Sequence, residues 1–256
     1  YWNSTNAGVS VTIPIDNDSS LLGGSVQLQG SRDGSTWENL SAATAIAAVN
    51  TTIDLADSLL GVEGLAGFAE GDALSFRAII TDLAGNATTG NASGTTLAVD
   101  QTAPTVSSID TTTPDGSYNE PDPIVVRVNF SENVALLGGT LDATLDTTDV
   151  VAIAAFGPAA TASGTYTIGA GDTSADLTVT LLALNAATLR DAAGNDADLS
   201  LPAGNNLADN AAIVVDTTAP AAFTAGAVTT TGGTVVAGYW NSTNAGVSVT
   251  IPIDND

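Results

Sequence analysis

Apolar and polar residues alternate along most of the chain. Period-two patterns run over residues 9–15, 74–81, 124–130 and 177–182. Strict alternation is typical of half-buried strands in antiparallel sheets with one polar face, and turn-forming Gly, Asn and Asp separate the runs. Only two short segments, residues 55–60 and 183–189, are candidates for helix. The pattern therefore predicts an all-β protein.

The chain contains a long repeat and a shorter one within it. Residues 1–18, YWNSTNAGVSVTIPIDND, recur unchanged at residues 239–256, 238 positions later, which indicates a repeat of fixed period. Inside that period, VTIPIDNDSSLLGGSVQLQ at residues 11–29 aligns without gaps on VRVNFSENVALLGGTLDAT at residues 126–144. DLAGN and VDQTAPT likewise recur as DAAGN and VDTTAPA. The 238-residue period therefore comprises two related domains.

The two TAP segments, with Pro104 and Pro220, suit stiff domain boundaries because proline fixes φ and lacks an N–H. The turn spacing gives about seven strands per domain, which is typical of an immunoglobulin-like (Ig-like) β-sandwich. We predict tandem Ig-like domains, head to tail: residues 1–100 lack their first strand, 101–216 are complete, and 217–256 begin the next domain. The missing strand should resemble residues 222–230, and without it one edge of the first domain should be open to a strand from elsewhere.

The net charge of the chain limits the kinds of molecule that it can bind. The chain has 28 acidic residues, four Arg, and no Lys, His or Cys, for a net charge of −24, while 44% hydrophobic residues suffice to build cores. Such acidity argues against nucleic acids and anionic membranes and favours divalent cations. No apolar run is long enough for a membrane span. Without His, Cys or Lys the usual nucleophiles and bases are missing, so we predict that the chain is not an enzyme.

Acidic clusters fall at strand ends that a head-to-tail array brings together. In such a sandwich the B–C and F–G loops lie at the end where the chain enters, and strand G ends at the opposite pole. Asp100 should therefore meet the next domain's B–C loop, predicted at residues 131–133, and its F–G loop, which carries DAAGN. Oxygen ligands without nitrogen or sulfur predict calcium at the junctions, against the alternative of plain acidic turns. The candidate ligands are Asp100, Glu132, Asn133, Asp191 and Asn195, with Asp16, Asp18, Asp82, Asn86 and Asp216 at the equivalent positions.

The second domain carries the segments TAPTV, DGSY, VNFSENV, LRDAAGNDADLSLPAG and IVVDTTAP in this order. Together they resemble the bacterial Ig-like repeats of large secreted surface proteins and adhesins. This resemblance implies an extracellular, cell-surface location and calcium-stiffened tandem stalks.

Three functions are compatible with these patterns. The first is a calcium-rigidified stalk of a bacterial surface adhesin, whose partners are neighbouring repeats of the same chain. The second is a self-assembling filament, sheath or surface-layer protein, in which copies of the chain contact one another. The third is a carbohydrate-binding module, which requires an aromatic cleft. We expect the candidate aromatic residues to lie instead in the core or at its rim: Trp2, Trp37, Tyr118 and Tyr166.

Overall fold

The computed structural model describes residues 1–15, 17–48 and 52–252, and residues 53–60 only by their backbone. Strands dominate the described chain, which confirms the prediction of an all-β protein with several antiparallel sheets. Two separate hydrophobic cores form, one from residues 2–99 (the first unit) and one from residues 106–215 (the second unit). In the described part of the chain no helix has the length and hydrophobicity needed to cross a membrane.

The first unit has two facing sheets. β1 pairs antiparallel with β5, while β2 and β6 form the centre of the other sheet with β3, β4, β7 and β8 along their edges. The elements are β1 (Gly8–Pro14), a 3-10 helix (Ser19–Leu21), β2 (Ser25–Ser31), β3 (Glu38–Asn39), β4 (Thr44–Ala45), β5 (Thr52–Ser58), α1 (Leu59–Glu63), β6 (Ala73–Thr81), β7 (Ala87–Thr89) and β8 (Leu97–Ala98). Alternate residues of β1 and β6 face the core between the sheets, as period two requires.

In the second unit, one long strand pairs with different neighbours along its first and second parts. The elements are β9 (Val106–Asp110), β10 (Gly116–Tyr118), β11 (Pro123–Leu145), β12 (Val150–Thr167), β13 (Thr173–Ser174), β14 (Val179–Arg190), α2 (Leu207–Asn210) and β15 (Ile213–Asp216). The first part of β11 lies between β9 and the end of β12, and its second part lies between β14 and the start of β12. The pairing of β11 with β12 shifts register between Asn129 and Val134, so the strand changes neighbours there.

Residues 217–252 form the C-terminal segment. Its two strands, β16 (Val228–Thr231) and β17 (Gly246–Val249), pair antiparallel as an isolated two-stranded sheet. Several large apolar side chains of this segment are exposed: Phe223, Val228, Val235, Val236, Tyr239, Trp240, Val247, Val249 and Ile251.

Three of the four period-two runs are confirmed as β1, β6 and the first part of β11. The run at residues 177–182 is strand only from Val179, and its alternation breaks because Leu181 is exposed and Leu182 is buried. Other local predictions are wrong. Residues 183–189 are helix formers by composition, yet they lie in β14 because their backbone pairs with β11. Residues 55–58 continue β5, and the helix there is Leu59–Glu63. Residues 131–133, predicted as a loop, lie within β11.

The LLGG motif has the same geometry in both units. Its first glycine has a positive φ in each case, 83° at Gly23 and 94° at Gly138. A Cβ on the second glycine would overlap a backbone carbonyl oxygen of the neighbouring strand, that of Thr81 beside Gly24 and that of Asn185 beside Gly139. The repeated sequence therefore encodes a repeated close approach of two strands.

We expect Gly139→Ala to lower the free energy of unfolding of the second unit by about 1–3 kcal/mol, because the added methyl group forces β11 and β14 apart. Gly157→Ala is the matched control, since no atom lies within 4 Å of its Cβ position. Urea unfolding followed by circular dichroism measures both variants. Equal effects of the two substitutions would contradict the packing argument.

Candidate metal centre

Three carboxyl groups converge where the two units meet. Asp100 follows β8 of the first unit, Glu132 lies at the bend of β11, and Asp191 follows β14. Carboxylate oxygens of the three residues lie within 4.8 Å of one another. Asp191 exposes only 8% of its surface, and Asp100 and Glu132 are half-buried. Within the described residues this is the only acidic group that converges so closely.

A tight turn fixes the Asp191 carboxylate. Its Oδ1 accepts a hydrogen bond from the backbone N–H of Asn195 (2.9 Å), and its Oδ2 accepts one from Asn195 Nδ2 (2.8 Å). Asp and Asn favour such local side-chain to backbone bonds in turns. The DAAGN sequence therefore holds one carboxylate rigidly at the end of the second unit.

The first unit contacts the same turn through its first and last residues. Trp2 forms a parallel bridge with Val99, and its carbonyl oxygen accepts the backbone N–H of Asp100 (2.8 Å). Asn195 Nδ2 donates to the Asp100 carbonyl oxygen (3.0 Å), and Asn3 Nδ2 donates to the carbonyl oxygen of Ala193 (2.6 Å). These bonds fix the position of Asp100 relative to Asp191.

The site disfavours negative charge in the absence of a cation. Burial raises the pKa of the Asp100 carboxyl, and the charges of Asp191 and Glu70 raise it further. Burial likewise raises the pKa of Glu132, with added repulsion from Asp191, Asp100 and Glu70. Two carboxylates about 4 Å apart repel by roughly 1 kcal/mol even at the dielectric constant of water, and more when they are partly buried. A bound cation would relieve this repulsion.

The surrounding atoms fit an ion that prefers oxygen. Asn195 is 5% exposed, and its buried Oδ1 has no hydrogen-bond partner within the described structure. Asn195 turns its Nδ2 toward the carboxylates, and a 180° flip that presented Oδ1 to an ion there would give up the Nδ2 bonds to Asp191 and Asp100. Three carboxylates and nearby backbone carbonyls match the ligands of calcium, and the group contains no nitrogen or sulfur ligand for zinc.

The other predicted ligands lie apart from this group. Asn133 is exposed beside Glu132, and Asp216 is exposed at the end of β15, where its Oδ1 accepts the N–H of Thr218 (2.9 Å). Asp18 caps the 3-10 helix by accepting the N–H of Ser20 (2.9 Å). Asp16 lies outside the described residues.

Asp82 and Asn86 form the same turn as Asp191 and Asn195, with matching bonds of 2.8 Å from the backbone N–H and Nδ2 of Asn86. These bonds lower the pKa of Asp82. The turn is exposed, in contrast to the buried DAAGN turn. The two sequences therefore fold alike, and what distinguishes the second turn is the approach of Asp100 and Glu132.

Sequence reasoning missed two residues at this site. Glu70 lies near enough to raise the pKa of both Asp100 and Glu132, and its Oε2 accepts the N–H of Gln101 (2.8 Å). Glu70 stands just before β6, in a turn that is hydrogen-bonded to Val99 and therefore lies beside Asp100, and this position was the available signal. Asn3 gave no such signal, since its bond to Ala193 depends on how the two units meet.

No protein-family model matches this chain, and no curated protein matches it in sequence.

Proposed function

We propose that this chain is a structural segment of tandem Ig-like domains, the stalk of a bacterial extracellular surface protein of the adhesin type, stiffened by calcium and without enzymatic activity. One observation carries the proposal: the acidic group takes Asp100 from the first unit and Glu132 and Asp191 from the second. A cation held there would tie two otherwise separate cores together. Units joined by a small polar contact move relative to each other by default, so such a tie restricts bending.

The repeated sequence supports an array. The 18-residue repeat recurs in sequence, and the two LLGG approaches and the two DxAGN turns recur with the same local geometry. An array needs a junction that can be repeated, and strand ends that carry acidic residues provide one. The high negative charge would keep such an array hydrated and favour cations over anionic partners.

Calcium should raise the melting temperature of the chain and narrow the range of shapes that it samples relative to chelator. The reason is that a ligand bound only by the folded junction stabilises it by mass action, and a stiffened junction bends less. Differential scanning calorimetry and small-angle scattering of the full chain measure the two effects. Magnesium is the control, because it tolerates irregular oxygen sites poorly. If calcium alters neither quantity, the proposal is wrong.

As the pH is lowered, calcium affinity should begin to drop at a higher pH than at a site whose carboxyl groups have ordinary pKa values. Asp100 and Glu132 have raised pKa values, so their contribution to stability without the ion is fully present below the unfolded-state pKa and is lost as pH rises through the folded-state pKa. Calcium must displace these protons. Affinity should therefore drop by about tenfold per pH unit below the pKa of one ligand. Calorimetric titration in buffers of different ionisation enthalpy measures the released protons, and an affinity independent of pH would contradict the ligand assignment.

The aromatic residues disfavour a carbohydrate-binding module. Trp2 and Tyr166 are buried, at 1% and 3% exposure. Trp37 is half-buried under the guanidinium of Arg77, 4.2 Å from its ring centre, and the half-buried Tyr118 donates its hydroxyl to the carbonyl oxygen of Pro114 (2.6 Å). These four residues therefore offer no shared platform for a sugar ring. The self-assembling filament remains the second candidate, because one specific observation, the exposed large apolar side chains of the C-terminal segment, favours contacts between copies.

A further inference from the structure

Arg77 differs from the other three arginines in its partners. Each of the other three forms an ion pair with an aspartate, and within the described part of the chain Arg77 forms none, although the chain has 28 acidic residues. Arg77 instead donates from Nε to Gln29 Oε1 (2.8 Å), and its guanidinium lies 4.2 Å from the ring centre of Trp37. These contacts orient the guanidinium and leave its two terminal nitrogens without a partner among the described residues.

The side chain of Arg77 lies on the outer face of the sheet centred on β2 and β6. Val26 and Leu28 of β2 face the core, so Gln29 points away from it, and Arg77 pairs directly with Gln29 across the strands. The neighbouring outward positions carry no charge: Gln27, Gln29, Asn39, Ile79 and Thr89. This face therefore presents one oriented positive charge in a chain whose net charge is −24.

The equivalent face of the second unit presents one negative charge. Asp142 aligns with Gln27 in the internal repeat. Since Leu141 and Ala143 face the core, Asp142 points outward, between Ala152 of β12 and Ala183 of β14. The outward residues of the adjoining strand pairs are uncharged, and they include two apolar side chains that are more than half exposed: Thr140, Thr144, Val150, Ala154, Leu181 and Asn185.

Local hydrogen bonds orient the Asp142 carboxylate without neutralising it. Its Oδ1 accepts a bond from Thr140 Oγ1 (2.6 Å), and its Oδ2 accepts one from Asn185 Nδ2 (3.2 Å). Each carboxylate oxygen can accept a further bond, and within the described residues no arginine pairs with Asp142. The face thus offers a carboxylate that the planar end of a guanidinium can bind through both oxygens.

We propose that the outer face around Arg77 binds the outer face around Asp142 of a second copy of this chain, through an ion pair between these two residues. The charges are complementary, and two sheet faces with one charge each avoid the repulsion that acidic surfaces impose. Because every copy carries both faces, the contact is heterologous and joins copies side by side. It uses none of the acidic residues of the candidate metal centre, so it is independent of the proposed role of calcium.

A single pair of faces makes a weak contact. Each face consists of outward residues on neighbouring strands about 4.8 Å apart, which cover on the order of a few hundred Å². A stable interface buries about 800 Å² on each partner. Tandem repeats multiply such a contact through their effective concentration, so that arrays bind laterally more tightly than one chain does.

Sedimentation velocity of the full chain tests the association, in chelator and about 0.15 M salt, at protein concentrations up to about 1 mM. Arg77→Glu should weaken the association at least roughly tenfold, because it sets two carboxylates against each other. Arg190→Glu is the matched control, since it changes the net charge equally but acts on an exposed pair with Asp196. Exposed pairs contribute little, so this control should leave the association unchanged.

Asp142→Arg separates the ion pair from the effect of net charge. The substitution makes the chain less negative and would strengthen any association limited by general repulsion. The proposed contact should instead weaken at least roughly tenfold, because two arginines then face each other. Asp176→Arg, in the exposed bend before β14, makes the same change in net charge and should not weaken the association.

Mixing the two variants tests the pairing itself. Chains with Arg77→Glu and chains with Asp142→Arg should associate when combined in equal amounts, although neither does so alone, because the reversed charges are complementary. Circular dichroism checks that each variant is folded. Asp142→Arg lies in the second unit, so it tests the proposal even where Arg77→Glu disturbs the first.

A chain that remains monomeric up to about 1 mM overturns the proposal. Association that Arg77→Glu leaves unchanged, or that Asp142→Arg strengthens, also overturns it, because the copies would then be held by other exposed residues such as Trp240. Folded variants that fail to associate when mixed would exclude a direct contact between Arg77 and Asp142.

Discussion

Replacing Trp2 by alanine is expected to lower the free energy of unfolding of the first unit by about 3–5 kcal/mol. The Trp2 side chain is 1% exposed in the core of the first unit, and its Nε1 donates to Glu63 Oε1 (3.3 Å). Its loss leaves a large cavity that the small aliphatic neighbours cannot fill. Because the backbone of Trp2 also binds that of Asp100, the substitution should loosen the junction as well.

Trp240 provides a control within the same molecule. It occupies the same position in the 18-residue repeat, but it is 60% exposed. Trp240→Ala should therefore change the free energy of unfolding by no more than about 0.5 kcal/mol, as exposed substitutions usually do. Urea unfolding followed by circular dichroism, rather than by tryptophan fluorescence, compares the variants with the unchanged chain. A similar loss for both variants would mean that the first core does not depend on Trp2.

Local patterns sufficed to predict the all-β class and several of the strands. Alternating Val and Ile residues define β1 and the first part of β11, since one buried face requires period two. The same reasoning failed at residues 183–189, where local composition favours a helix but pairing with β11 decides the structure. Residues 131–133 show the same limit, because a continuous strand that shifts register is not distinguishable from a loop in sequence.

The sequence predicted only those residues of the candidate site that stand at strand ends. Asp100 and Asp191 stand at strand ends, and an assumed head-to-tail topology brings those ends together. Glu70 and Asn3 contribute through contacts that depend on the relative rotation of the two units, which no local pattern encodes.

Asp191→Asn is expected to have opposite effects with and without calcium. The Asn oxygen can still accept the backbone N–H of Asn195, so the turn should persist. In chelator the variant should melt at a higher temperature than the unchanged chain, because it removes one of the charges that raise the pKa values of Asp100 and Glu132. In calcium it should lose the stabilisation, since fewer charged ligands lower the affinity by at least roughly tenfold, about 1.4 kcal/mol.

Asp82→Asn is the matched control, because Asp82 makes the same bonds to Asn86 as Asp191 makes to Asn195. Asp82 lies in an exposed turn outside the converging carboxylates, so its substitution should leave the calcium response of the junction unchanged. Calorimetric titration gives the affinities. Thermal melting in chelator and in calcium shows whether each substitution raises or lowers the melting temperature in each condition. An unaltered calcium response in Asp191→Asn would exclude this carboxylate as a ligand. An equal loss in both variants would show that calcium acts on the overall negative charge rather than at one junction, because each substitution removes the same single charge.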